Sequence, residues 1–136
     1  MSNEEINRKI AVIFATDLVG YSKHMEKDEN ATLLGLRECN KIIEPLIKKQ
    51  KGRIFNTGGD SVFAEFPSAV AAVDTAVEFQ KQIKVRNDKD TTNVKLEYRI
   101  GVNMGDVVKE GDNLLGDGVN IAARLEALAQ PGGITI

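Results

Sequence analysis

Two aspartates stand where apolar runs give way to glycine. Asp17 follows Ile10-Ala-Val-Ile-Phe-Ala15 and leads into Leu18-Val19-Gly20-Tyr21-Ser22, and Asp60 sits in Thr57-Gly-Gly-Asp-Ser61 between two further apolar runs. Glycine beside each lets a ligand approach the backbone closely. If the flanking runs are neighbouring strands, the two carboxylates converge. Two hard oxygen donors at a glycine turn suit Mg²⁺, which takes one or two carboxylates and fills its shell with water and substrate phosphates. A pair of such ions can clamp the attacking and leaving oxygens of an in-line phosphoryl displacement. The backbone N–H groups from Leu18 through Val19, Gly20, Tyr21 and Ser22 run into a helix and form a candidate cradle for a triphosphate. Taken singly, each aspartate is also an ordinary turn residue, because Asp bonds readily to its own local backbone.

Asn120 and Arg124 supply a second pair. They are four apart in a stretch with helical pattern, so they share a helix face. Val119, Ala122 and Ala123 around them are small or apolar. An arginine on a closely packed helix is suited to stabilising charge in a phosphoryl-transfer transition state. The bland alternative is an arginine whose stem lies along the helix with its head in water.

The elements that must position these residues follow from periodicity. Ile10–Ala15 reads as a buried strand. A helix spans roughly Asn30 to Lys51, with Leu33, Leu36, Cys39, Ile43 and Ile47 at helical spacing, Pro45 bending it or starting a new turn, and Gly52 ending it. Lys48, Lys49 and Lys51 read as a solvated C-terminal end in keeping with the helix dipole. Arg53–Asn56 and Val62–Phe66 form a hairpin around Asp60. Pro67 suits a helix start, and Ala69, Val70, Ala72, Val73, Ala76, Val77 and Ile83 make an apolar face. Asn87–Asn93 reads as a polar loop, Leu96–Met104 as a strand continuing in Asp106–Val108, Glu110–Asn113 as a turn, Asp117–Leu128 as a third helix and Ile134–Ile136 as a last strand. The order β-α-β-β-α-β-β-α-β predicts an α+β fold of ferredoxin-like type, a mostly antiparallel sheet with helices packed on it.

Composition bounds the rest. The chain has 136 residues, 42% hydrophobic and 28% charged, with a net charge of −2. It is long enough for a real core. It carries no basic footprint for nucleic acid and no apolar run of membrane-spanning length. A single cysteine, Cys39, points to core packing and a reducing, cytoplasmic setting. His24, the only histidine, reads as a surface residue. Residues 1–8 read as a polar N-terminal segment and residues 9–136 as one domain. A strand at the last residue points to a domain cut short at its C-terminus.

Read together, the segments resemble the class III adenylate/guanylate cyclase homology domain. Phe14-Ala-Thr-Asp17-Leu-Val-Gly20-Tyr-Ser is similar to its first metal motif and Asn56-Thr-Gly-Gly59-Asp60-Ser to its second. Arg99-Ile-Gly-Val-Asn-Met-Gly105-Asp-Val-Val resembles its central strand pair, and Gly116-Asp-Gly-Val-Asn120-Ile-Ala-Ala-Arg124-Leu-Glu its transition-state helix. The resemblance implies that Asp17 and Asp60, with the Leu18 carbonyl, hold two Mg²⁺ or Mn²⁺ ions, that Asn120 orients the ribose and that Arg124 stabilises the α-phosphate. It implies a nucleoside triphosphate substrate and cyclisation to a 3′,5′-cyclic nucleotide with release of pyrophosphate. It further implies a homodimer, because the family's metal aspartates and Asn/Arg pair serving one nucleotide come from different subunits, and regulatory domains outside this chain.

Two positions depart from the family pattern. Asn56 stands where adenylate cyclases carry a base-reading lysine, and Asn113 where they carry a base-reading aspartate. An asparagine amide can donate or accept, so ATP is put ahead of GTP only because bacterial relatives resemble adenylate cyclases. A neutral pair also discriminates less strongly than a charged one. Three other readings compete. Gly58-Gly59-Asp60 invites comparison with diguanylate cyclases, but Ser61-Val62 stands where that family has Glu-Phe. A metal-dependent phosphohydrolase lacks a histidine cluster to support it. A catalytically weak nucleotide-binding or dimerisation module derived from a cyclase is favoured by Asn56 and Asn113, and opposed by the presence of Asp17, Asp60, Asn120 and Arg124.

Overall fold

A computed structural model describes residues 7–89 and 94–136. Its elements are β1 (Asn7–Leu18), α1 (Tyr21–Lys27), α2 (Glu29–Lys49), β2 (Arg53–Gly58), β3 (Ser61–Phe66), α3 (Ala69–Lys89), β4 (Tyr98–Glu110), β5 (Asn113–Leu115), α4 (Asp117–Leu128) and β6 (Ile134–Thr135). The strands form one sheet in the order β2-β3-β1-β4-β5, all antiparallel, with β6 pairing parallel to β4. This is the expected α+β arrangement. β1 is central because both of its faces are apolar, and a strand that alternates between two cores must be covered on both sides.

Val12, Phe14 and Leu18 of β1 point to one face and pack with Leu36, Cys39, Ile43 and Ile47 of α2 and Ala72, Ala76, Phe79 and Ile83 of α3. Ala11, Ile13 and Ala15 point to the other, where Ala122 of α4 and Leu114 of β5 cover them. The period of two along β1 therefore puts Asp17 on the α4 face.

Local details correct several expectations. The helix expected from Asn30 begins at Glu29, capped by the Asp28 side chain accepting from the Ala31 N–H, and a separate α1 precedes it. It runs through Pro45 without a break. It ends in a Schellman arrangement, in which Gly52 N–H donates to Ile47 O and Lys51 N–H to Lys48 O. The left-handed residue there is Lys51, at φ 62°. Gly52 serves packing instead, because an added Cβ would meet the Phe66 ring at 2.7 Å. Ser68, not Pro67, caps α3. Leu33, Ala69, Val70 and Val77, expected on apolar faces, are exposed at the margins of those faces, while Thr32, Gly35 and Thr75 take buried places beside Leu36, Cys39, Ile43, Ile47, Ala72, Ala76 and Ile83, which are buried as expected. β4 is continuous through Gly105. Asn7 and Arg8, expected in the polar N-terminal segment, pair with Lys109 and Val108. Residues 87–89 belong to α3, and the rest of the expected loop, 90–93, lies outside the described residues.

Candidate active site

β1 and β3 are neighbours, with Thr16 opposite Val62, so the end of β1 lies beside the β2–β3 turn. Leu18 N–H donates to Asp60 Oδ2 at 3.0 Å. The turn closes through Gly59, whose φ of 55° is left-handed and favours glycine. Tyr21 lies against it, its hydroxyl 3.7 Å from where a Gly59 Cβ would be. Asp17 and Asp60 are both half-buried. Burial raises the Asp60 pKa and the Asp17 charge adds to it, against backbone hydrogen bonds from Asp60 and Leu18 that lower it. Two carboxylates crowded into one partly dry corner make a hard-oxygen donor set that a divalent cation would relieve, so these residues fit Mg²⁺ or Mn²⁺.

The expected phosphate cradle is smaller than the sequence implied. Leu18 N–H is committed to Asp60, and Val19 N–H donates to Glu97 O at 2.8 Å. Val19 is therefore corrected as a cradle donor. Gly20, left-handed at φ 67°, and Tyr21 and Ser22 at the start of α1 are the part that remains.

α4 carries the second pair on a separate surface. Its buried stripe is Gly118, Ala122 and Glu126, at steps of four. It lies at backbone contact with β4, since a Cβ on Gly101 would overlap Ala122 O and Glu126 N, and one on Gly118 would sit 2.7 Å from Asp106 O. Asn120 and Arg124 lie on the opposite side of the helix and are exposed. Within one chain they point away from the sheet that holds the aspartates. Asn56, on edge strand β2, is exposed just after a bulge between Ile54 and Asn56. Asn113 opens β5, and its Oδ1 accepts from Leu114 N–H at 2.9 Å.

Two features escaped the sequence reading. Glu126, only 8% exposed, meets the Asp17 carboxylate, and its Oε1 finds no donor among the described residues. Burial first, then Asp17, push its pKa up to about 8, with Arg99 opposing. The signal was present: a carboxylate at the four-residue step of an otherwise small, apolar stripe. The other is an ion-pair chain from Lys9 through Glu65 to Arg53, which no spacing rule reveals because it depends on strand register.

Residues 3–136 match the family model for the adenylate and guanylate cyclase catalytic domain. A Rhizobium meliloti protein provisionally named adenylate cyclase 3 is 44% identical over 137 residues, covering 100% of this chain and 23% of that protein. The crystal structure of an adenylate/guanylate cyclase/hydrolase from Silicibacter pomeroyi is 38% identical, with TM-score 0.86 over 96% of this chain and 76% of that one. The adenylyl cyclase CyaB from P. aeruginosa is 28% identical, with TM-score 0.83 over 96% of this chain and 78% of that one. The chain spans between 15% and 33% of the length of the curated relatives it matches.

Proposed function

The chain belongs to the adenylate and guanylate cyclase catalytic domain family, and from that premise we propose that it cyclises a nucleoside triphosphate, ATP first, to the 3′,5′-cyclic nucleotide and pyrophosphate. The observation that carries this reading is the meeting of Asp17 and Asp60 beside a glycine turn and the start of α1. Asp17 and Asp60, with the Leu18 carbonyl, would hold two Mg²⁺ or Mn²⁺ ions, whose Lewis-acid charge favours ionisation of the ribose 3′-hydroxyl and offsets the triphosphate. The N–H groups of Gly20, Tyr21 and Ser22 face the phosphates from a helix start. Asn120 orients the ribose. Arg124 places its guanidinium against the α-phosphate as charge builds there. In the balanced step the 3′-oxygen bonds to the α-phosphorus, the α–β bridging P–O bond breaks, pyrophosphate leaves and the hydroxyl proton passes to solvent.

The opposite facing of Asn120/Arg124 and the aspartates supports a site shared by two copies of the chain. A head-to-tail homodimer would join one copy's aspartates to the other's α4. The relatives named adenylate cyclase support ATP. One observation favours GTP as a second reading. Asn113 already accepts from Leu114 through its carbonyl, so its NH₂ is the group on offer, and a donor suits the guanine O6 better than the adenine amino group.

The test is to incubate the full-length protein with ATP or GTP and Mg²⁺ or Mn²⁺, measuring cyclic products by mass, with Asp60→Ala alongside. Cyclic AMP that disappears in the variant is the expected result, and dominant cyclic GMP would reverse the base assignment. A metal-loaded dimer that binds triphosphate and forms neither product would be a binding module, and the cyclase reading would be lost.

A further inference from the structure

The Lys9–Glu65–Arg53 chain reaches beyond the sheet strands that carry it. Lys9 Nζ lies 3.0 Å from Glu65 Oε2, while Arg53 Nε and Nη2 lie 3.0 and 2.9 Å from Glu65 Oε1. Both carboxylate oxygens are therefore occupied. The remaining arm of the fork, Arg53 Nη1, donates to Asp112 O at 2.7 Å, in the turn between β4 and β5.

That last bond joins the two ends of the sheet path. In a flat sheet of order β2-β3-β1-β4-β5 the outer strands would stand roughly 19 Å apart, four steps of about 4.8 Å. One arginine side chain cannot cross that gap. Here Leu114 of β5 shares one apolar cluster with Ala11 and Ile13, the Phe55 ring of β2 packs against that same cluster, and β2 and β5 come into contact. Arg53 is the polar tie across that contact. It stands three residues before Asn56 on β2, and its acceptor Asp112 immediately precedes Asn113.

We propose that Arg53 is a positioning residue for base selection: by holding Glu65 and the Asp112 carbonyl at once, it fixes the spacing between the strand that presents Asn56 and the turn that presents Asn113. The inference rests on the reading of those two asparagines as the base-facing pair. Arginine is required because its planar fork addresses two acceptors in fixed directions, whereas lysine offers one point charge that can stay with Glu65 and release the turn. Neutral amides make weaker, more orientation-dependent contacts than a charged lysine and aspartate would. Their spacing therefore matters more to discrimination.

The experiment compares Arg53→Lys, Asn56→Ala and Asn113→Ala with the parent full-length protein. It measures kcat and KM for ATP and GTP, amide hydrogen exchange of residues 110–115, and the thermal midpoint. For Arg53→Lys, KM for the preferred nucleotide is expected to rise about three- to tenfold, the scale of one partly exposed charge-assisted hydrogen bond. The ratio of kcat/KM between the two nucleotides should narrow, kcat should change little, and exchange in 110–115 should quicken with the midpoint nearly unmoved. An equal fall in kcat for both nucleotides, with their ratio and the exchange unchanged, would be a general packing effect and would overturn the proposal. If the two asparagine variants shift the ratio and Arg53→Lys does not, the tie alone is wrong. If the asparagine variants leave the ratio as it was, the base-reading assignment falls and takes the specificity role of Arg53 with it.

Discussion

Glu126 is a carboxylate on the face of α4 that otherwise presents Gly118 and Ala122 to the sheet. It meets Asp17, and two carboxylates can share a hydrogen bond only if one carries a proton. Burial, reinforced by Asp17, raises its pKa from an ordinary 4.5 to about 8. Between those values the folded chain holds a proton that the unfolded chain has released. The stability tied to this group is thus complete below about pH 4.5 and is lost as pH rises through about 8. With divalent metal removed by chelator, the thermal midpoint should fall between pH 5 and pH 8 by more in the parent than in Glu126→Gln, which has no proton to lose there. The glutamine variant should be the more stable of the two at pH 8. Equal slopes would show that some other group governs the dependence. Glu65 is the opposite case. Burial works against its charge, but hydrogen bonds from Lys9 and Arg53 hold its carboxyl below the usual range, so its contribution fades in acid.

Helix α4 reaches its place only because β4 offers it a gap. The hydrogen atom of Gly101 faces Ala122 O and Glu126 N, which are backbone atoms and cannot swing aside. Gly101→Ala should lift α4 from the sheet and cost about 1–3 kcal/mol, the range of core overpacking. Gly58→Ala, whose Cβ would meet nothing within 4 Å, should leave chemical denaturation almost unchanged. Comparable losses in the two would remove the close-approach argument. The same contact explains what was legible in the sequence. β1, the β2–β3 hairpin and α4 announce themselves by apolar period and glycine punctuation, which are local. The proposed site residues Asp17, Asp60, Asn120 and Arg124 could be nominated by residue type and family resemblance, but spacing alone does not bring the two aspartates together. Val19 was misassigned because its N–H partner, Glu97, lies far along the chain. The Arg53 tie was invisible for the same reason, since a register is a property of two strands and neither states it alone.

At the scale of the molecule, the aspartates and the Asn120/Arg124 pair face different directions, so the proposed site asks for two copies. Asp60→Ala and Arg124→Ala should each be inactive alone. Mixed at equal concentration, they should recover about one-quarter of parental activity, because half of the dimers are mixed and each mixed dimer has one intact site. No recovery from a mixture shown to exchange subunits would argue for a site within one chain. The central position of β1 has a consequence for how the protein is made. Its partners are β3 and β4, and β4 begins at Tyr98, roughly eighty residues after β1 ends at Leu18. At about 5–20 residues per second, the ribosome needs roughly 4–16 s to supply that partner. β3, at Ser61–Phe66, can cover one edge of β1 about halfway through that interval, but the other edge of Ala11-Val-Ile-Phe-Ala15, uncharged and rich in β-branched and aromatic side chains, stays open until β4 arrives, the kind of segment that nascent chains entrust to chaperones.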